Sequence, residues 1–229
     1  MRIFMLQEKP IFPPPELAGP DGLIAIGGDL SPERLLNAYA SGIFPWFNEG
    51  DPLLWWSPDP RLVLVPGELH ISRTMQKLLN RHAFRVTVDT HFREVMENCR
   101  DLREAEPGTW ITSPMIDAYA RLHDLGFAHS VEAWQEDQLA GGLYGVSLGR
   151  CFFGESMFFN VPNASKYAFI TFAQKIFDHG FRFIDCQVPT THLASLGARE
   201  VTRKTFLKML KKALKHETLI GKWNFLNEE

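Results

Sequence analysis

Residues 129–158, H-S-V-E-A-W-Q-E-D-Q-L-A-G-G-L-Y-G-V-S-L-G-R-C-F-F-G-E-S-M-F, leave this chain few options. Three strand-favouring runs are separated only by the turn signals E-D and L-G-R. Links that short join antiparallel neighbours, because parallel partners need a crossover of a dozen or more residues. A three-stranded antiparallel meander is predicted, and the remaining elements must pack on it. The glycines of G-L-Y-G-V-S-L-G sit in a hairpin rather than at a helix start, so they read as close-packing glycines and not as a pyrophosphate loop.

Capping signals place the elements around the meander. Ser31-Pro32-Glu33 opens a helix over residues 32–40, Ser72 caps I-S-R-T-M-Q-K-L-L-N-R-H, and Thr90 is expected to cap H-F-R-E-V-M-E-N-C-R. Ser113-Pro114 begins a helix stopped by Gly126, Asn163-Ala164-Ser165 begins one closed by Gly180, and a basic helix follows Thr202. L-V-L-V-P, F-R-V-T-V-D and F-R-F-I-D-C-Q-V read as strands. Residues 10–33 are dense in Pro and Gly and read as an extended loop arm. G-I-F-P-W-F and L-W-W-S-P-D-P-R read as two aromatic loops. The order implies an α+β fold in two parts: a small N-terminal α+β domain (1–62) and a larger domain (63–229) with a central, mostly antiparallel sheet. The order of elements in the larger domain fits an acetyltransferase-like (GNAT-type) arrangement.

Hydrophobic residues are 45% of the 229 and charged ones 22%, enough for a real core. A net charge of −3 argues against a protein that coats nucleic acid over its whole surface, though not against a local basic patch. Cys99, Cys151 and Cys186 have neither C-x-x-C nor metal-type spacing, so reduced thiols and no metal are expected. The N-terminal stretch lacks the apolar core of a signal peptide, and no window approaches the ~18 apolar residues of a membrane span. A cytoplasmic protein without membrane contact is expected.

The candidate chemistry lies on and around the strands. In F-I-D-C-Q-V, alternation sends Asp185 and Gln187 to one face and Ile184, Cys186 and Val188 to the other. A carboxylate in so apolar a run needs a partner, which makes it either a structural ligand for backbone amides or a working group. Glu155 follows Cys-Phe-Phe and is read, on its own, as a strand-end residue reaching solvent. Phe44-Pro45-Trp46-Phe47, Trp55-Trp56 and the G-T-W-I-T motif around Trp110 set rings between Gly and Pro turns. Exposed rings of this kind suit stacking on unpaired bases, whereas packing of the small domain on the large one is the preferred account of Trp55 and Trp56. Arg73, Lys77 and Arg81 form an i, i+4, i+8 stripe, commonly a solvated helix face and otherwise a phosphate contact.

Taken in order, G-G-D-L-S-P-E-R-L-L-N-A-Y, G-I-F-P-W-F, W-W-S-P-D-P-R, G-T-W-I-T, G-G-L-Y-G-V, F-G-E-S-M-F, N-A-S-K and F-I-D-C-Q-V closely resemble the bacterial leucyl/phenylalanyl-tRNA–protein transferases. The match runs from about Phe12 to Lys204. The resemblance implies transfer of Leu, Phe, or less readily Met from aminoacyl-tRNA to an N-terminal Arg or Lys of acceptor proteins, marking them for N-end rule degradation. It implies no cofactor, since the ester is already activated, and a monomer is expected. By the same resemblance Gln187 holds or helps deprotonate the attacking amine through its side-chain carbonyl and Asp185 orients and polarises Gln187, with Asp185 alternatively accepting the amine's proton or binding the acceptor's cationic side chain. Leu143, Phe152, Met157, Phe169, Phe172 and Ile184 wall the aminoacyl side-chain pocket over Glu155. Trp46 takes the terminal adenine with Tyr39 and Trp110 nearby, and Arg73, Lys77 and Arg81 meet acceptor-stem phosphates.

Overall fold

The computed structural model describes residues 3–104 and 110–224, with the side chains of 103 and 104 left aside. Gly108 and Thr109 of the G-T-W-I-T motif lie outside the described residues. The meander is present as β7 (Ala128–Gln135), β8 (Gln138–Leu148) and β9 (Cys151–Phe159), each pair antiparallel. It sits in a seven-stranded sheet that also holds β5 (Arg61–Leu64), β6 (Arg85–Val88), β10 (Phe183–Gln187) and β11 (Arg199–Val201), in the order β11-β5-β10-β9-β8-β7-β6. Among the described strands of this sheet, only β9 and β10 run parallel. They are also the pair joined by a long crossover, α5 (Ala164–Asp178), as parallel pairing requires.

The N-terminal part departs from its reading as arm and loops. It forms a second, four-stranded sheet of β1 (Phe4–Leu6), β2 (Leu23–Gly27), β3 (Phe44–Pro45) and β4 (Leu54–Trp56), in the order β1-β2-β4-β3. β2 lies inside the Pro-rich stretch, while β3 and β4 are the two aromatic segments. Strands of two to five residues are too short to show a period in sequence; pairing with neighbours is what defines them. Trp55 is fully buried and donates its indole N–H to the Gly27 carbonyl at 2.8 Å, so it belongs to this core. Phe44 and Phe47 are buried too, leaving Trp46 as the exposed ring of its motif at 43%.

The predicted helix starts hold, but not all carry a side-chain cap: Asn163 makes no cap hydrogen bond, and Thr112, just before Ser113-Pro114, makes none either. Ser31, Ser72 and Thr202 accept backbone N–H groups at the starts of α1 (Pro32–Ala40), α2 (Arg73–Asn80) and α7 (Arg203–Ala213). Thr90 does not cap α3 (Phe92–Glu104) as expected. Its hydroxyl donates to the buried Glu132, and that carboxylate accepts the His91 N–H instead. A buried carboxylate without donors is costly, and Glu132 recruits Thr87, Thr90 and Ser130 as well.

One face of the large sheet buries α1, α3, α4 (Ser113–Asp124) and α7 together with the small sheet. The other face buries α2, α5 and the C-terminal Trp223. The short α6 (Thr191–Ser195) follows β10. No helix among the described residues is long and apolar enough to cross a membrane.

Candidate active site

Asp185 is wholly buried in β10 and its partner is Arg61, the first residue of the adjacent β5. Arg61 Nε and Nη2 donate to the two carboxylate oxygens at 2.8 and 2.6 Å. The guanidinium is itself held between the Phe44 and Phe206 rings, with centroids at 4.7 and 4.4 Å. A two-bond guanidinium–carboxylate pair is geometrically specific, and stacking on both faces fixes its plane. Asp185 Oδ1 also accepts the backbone N–H of Gln187 at 2.9 Å.

That bond accompanies a break in alternation. Pairing with β5 slips between Asp185 and Gln187, and Gln187 takes a left-handed φ of 61°. Ile184 and Cys186 do share the α5-side core as predicted. The Gln187 amide, however, meets Glu155 rather than the Asp185 carboxylate: Nε2 donates to Glu155 Oε1 at 2.7 Å. Asp185 therefore positions Gln187 through its main chain, and does not polarise the side-chain amide as the sequence reading expected.

Glu155 is not a strand-end residue reaching solvent. It lies mid-strand in β9 and is buried. It occupies a second bulge: Tyr144 pairs with Ser156 and Gly145 with Gly154, leaving Glu155 unpaired between them. Such an insertion re-aims side chains and shifts the parity of the strand. Phe153 and Phe158 consequently pack in the same core, as do Phe152 and Met157 in the other. The Tyr39 hydroxyl donates to Glu155 Oε1 at 2.7 Å, Tyr119 approaches Oε2 at 3.4 Å, and the two tyrosines are hydrogen-bonded to each other. Burial pushes the Glu155 carboxyl up to about 7, against the opposing pull of the Tyr39 and Gln187 hydrogen bonds. Burial likewise holds Tyr39 and Tyr119 well above their ordinary values, so both remain neutral donors.

Two cavities flank the Glu155–Gln187 pair. The larger, ≈ 310 Å³, is lined by Leu143, Phe152, Met157, Phe169 and Ile184, with Glu155 and Gln187 as polar wall. Phe172, expected among the wall residues, stands behind it with its ring edge-on to Phe152 at 4.6 Å. The smaller, ≈ 100 Å³, lies between Trp46, Trp110, Phe44 and the same two polar residues. Tyr39, expected beside Trp46, is fully buried in the Glu155 cluster and reaches neither cavity. Arg73, Lys77 and Arg81 are exposed along and just after α2. Burial raises the Cys151 and Cys186 thiols, so neither is an active thiolate, and Cys186 packs as predicted. No cluster among the described residues has the makings of a metal site.

Arg61 and Tyr119 had no assigned role in the sequence reading. A lone cation opening an apolar strand was a signal for Arg61, since buried Asp185 required an opposite charge. Tyr119, within an amphipathic helix, carried no such signal.

The family described as leucyl/phenylalanyl-tRNA protein transferase matches residues 63–211, and its N-terminal domain matches residues 28–59. The chain is 56% identical over 229 residues to a leucyl/phenylalanyl-tRNA–protein transferase of Desulfatibacillum aliphaticivorans, covering 100% of this chain and 98% of that one. It is 57% identical over 224 residues to the protein of the same name from Anaeromyxobacter sp. (strain K), covering 97% and 96%. Among solved structures, an aminoglycoside acetyltransferase from a soil metagenomic sample overlays 51% of this chain and 84% of that one, at TM-score 0.40 and 11% identity. The chain belongs to the leucyl/phenylalanyl-tRNA–protein transferase family, aminoacyltransferases that act between tRNA and protein.

Proposed function

We propose that this enzyme moves Leu, Phe and less readily Met from aminoacyl-tRNA onto the N-terminal Arg or Lys of acceptor proteins, marking them for N-end rule degradation. The observation that carries this reading is the apolar ≈ 310 Å³ cavity ending on an amide whose polar groups are already sorted. With Nε2 turned to Glu155, the Gln187 carbonyl oxygen is left as an acceptor for an attacking amine. The large cavity takes the donor side chain, and its crowded walls disfavour branching at Cβ. The two-tryptophan cavity takes the terminal adenine on Trp46 and Trp110, which puts the ester between the two. Arg73, Lys77 and Arg81 serve the acceptor-stem phosphates.

In the reaction the acceptor's α-amine nitrogen bonds to the ester carbonyl carbon, the carbon–oxygen bond to the ribose breaks, and a proton from the amine ends on the ribose oxygen. An amide is too weak a base to keep that proton, so Gln187 acts by holding the amine in line while charge develops. Asp185 is a positioning residue. Its fully buried oxygens are engaged by Arg61 and the Gln187 N–H, which argues against the alternative role of proton acceptor. Within the same reading, residues 1–62 form the unit that supplies Trp46 and Tyr39, and 63–229 the unit that supplies the reacting strand.

Labelled Phe-tRNA mixed with peptides that begin with Arg, Lys or Ala tests the proposal. Label is expected on the first two and absent from the third; label on none of them overturns it.

A further inference from the structure

The C-terminal stretch beyond α7 carried no motif in the sequence, yet Trp223 is 3% exposed and seated in the core on the α5 side of the large sheet. Its indole stacks on the His129 ring at 3.7 Å between centroids and 14° between planes. It lies parallel to Phe172 at 6.2 Å, tilted against Phe152 at 6.3 Å, and edge-on to Phe181 at 5.6 Å. Phe152 lines the large cavity, and Phe172 backs Phe152 directly. Trp223 is thus one ring removed from the donor pocket, and it supports both rings that determine how far the wall can retreat.

The segment is tied down well enough to act as a fixed support. The Trp223 N–H donates to Asp89 Oδ2 at 2.8 Å, and the same carboxylate oxygen meets His129 Nδ1 at 2.8 Å. The Gly149 N–H donates to Thr218 Oγ1, and the Gly221 N–H to the Gly126 carbonyl. The last approach is so close that a Cβ on Gly126 would stand 2.1 Å from the Gly221 nitrogen.

We infer that Trp223 sets the depth of the aminoacyl pocket and is a specificity-determining residue for the donor, acting through Phe172 and Phe152. Interiors are close-packed, so taking away an indole lets the rings in front of it move back and lengthens the pocket. The inference rests on the proposed donor site. The change is one of size, and it favours Phe over Leu and admits aromatic donors larger than Phe.

The test compares kcat/KM for Leu-tRNA and Phe-tRNA, with Tyr-tRNA and Trp-tRNA as further donors, in the wild type and in Trp223→Ala. Pocket-size differences of a methylene or more discriminate by 10-fold or above, so the Phe:Leu ratio is expected to rise about 10-fold. Trp223→Phe keeps a ring in place and is expected to leave the ratio near the wild-type value, well short of that ~10-fold rise. If the alanine variant does not fold, Trp223→Leu keeps the segment seated and is read for a smaller rise in the same direction. A folded alanine or leucine variant that loses both donors equally, with the ratio unmoved, overturns the inference, because a merely structural role lowers both together. A wild-type protein that transfers neither Leu nor Phe defeats the donor-site reading instead, and that failure is seen before any variant is made.

Discussion

Asp185 on β10 and Glu155 on β9 are both buried within one site, yet one meets a guanidinium and the other meets hydroxyls and an amide. The Arg61 pair ties up both oxygens of Asp185, leaving the residue a fixed strut. Glu155 receives only neutral donors, so burial leaves its carboxyl titrating near 7. Burial alone does not make a carboxylate functional. What faces it decides which groups it fixes in place and which it leaves to its own environment.

Breaking the strut should have the largest effect. Arg61→Met or Asp185→Leu alone strands a buried charge and is expected to cost about 3–5 kcal/mol of unfolding free energy in denaturant titrations. The double variant should recover most of that stability, while transfer stays low because the Gln187 N–H has lost its acceptor. Full activity in the double variant would show that the strut is dispensable. Next in size is Gln187→Ala, expected to lower kcat by about 10²-fold, as loss of one transition-state hydrogen-bonding group does, with stability changed by only about 1 kcal/mol.

The pH response tests the environment of Glu155. Glu155 is raised from 4.5 to about 7, so the folded protein holds this proton more tightly than the unfolded chain does. That contribution to stability is complete below about 4.5 and is lost as pH rises through about 7. Glu155→Gln, neutral throughout, should therefore match the wild type at pH 4 and exceed it at pH 8 by up to about 3 kcal/mol in urea unfolding. An equal difference at the two pH values would mean that Glu155 does not titrate in this range.

Three smaller effects sharpen the assignment of aromatic and basic residues. Trp46→Ala is expected to weaken tRNA binding by about 1–3 kcal/mol, the value of one base stack. Tyr39→Phe should leave binding unchanged and cost about 1 kcal/mol of stability through the lost Glu155 hydrogen bond. Lys77→Ala should weaken binding least, lowering the slope of log affinity against log salt by about 1.

Much of the fold was legible because its signals are local. The turns E-D and L-G-R, the caps Ser31, Ser72 and Thr202, and the closing Gly126 and Gly180 all act over a few residues. The short strands of the small sheet were not legible, since the partners that define them are distant in sequence. In the site, the pocket walls Leu143, Phe152, Met157, Phe169 and Ile184 were named in advance through the family resemblance, and the structure places them together. Phe172 and Tyr39 lie elsewhere than the resemblance implied, while Glu155 does line the pocket and fails only its reading as a solvent-facing strand end.

By itself the sequence determined the antiparallel centre of the sheet, the family, and the presence of a carboxylate and an amide two positions apart in an apolar strand. Alternation and capping are properties of the backbone, so they can be read without neighbours. The tertiary structure alone decided how the site is wired. Arg61 reaches Asp185 across 124 residues of chain, and Tyr39 reaches Glu155 across 116. The bulges at Glu155 and before Gln187 exist only in the register with the neighbouring strands, where one extra residue overrides the simple two-residue period and turns the two side chains to each other.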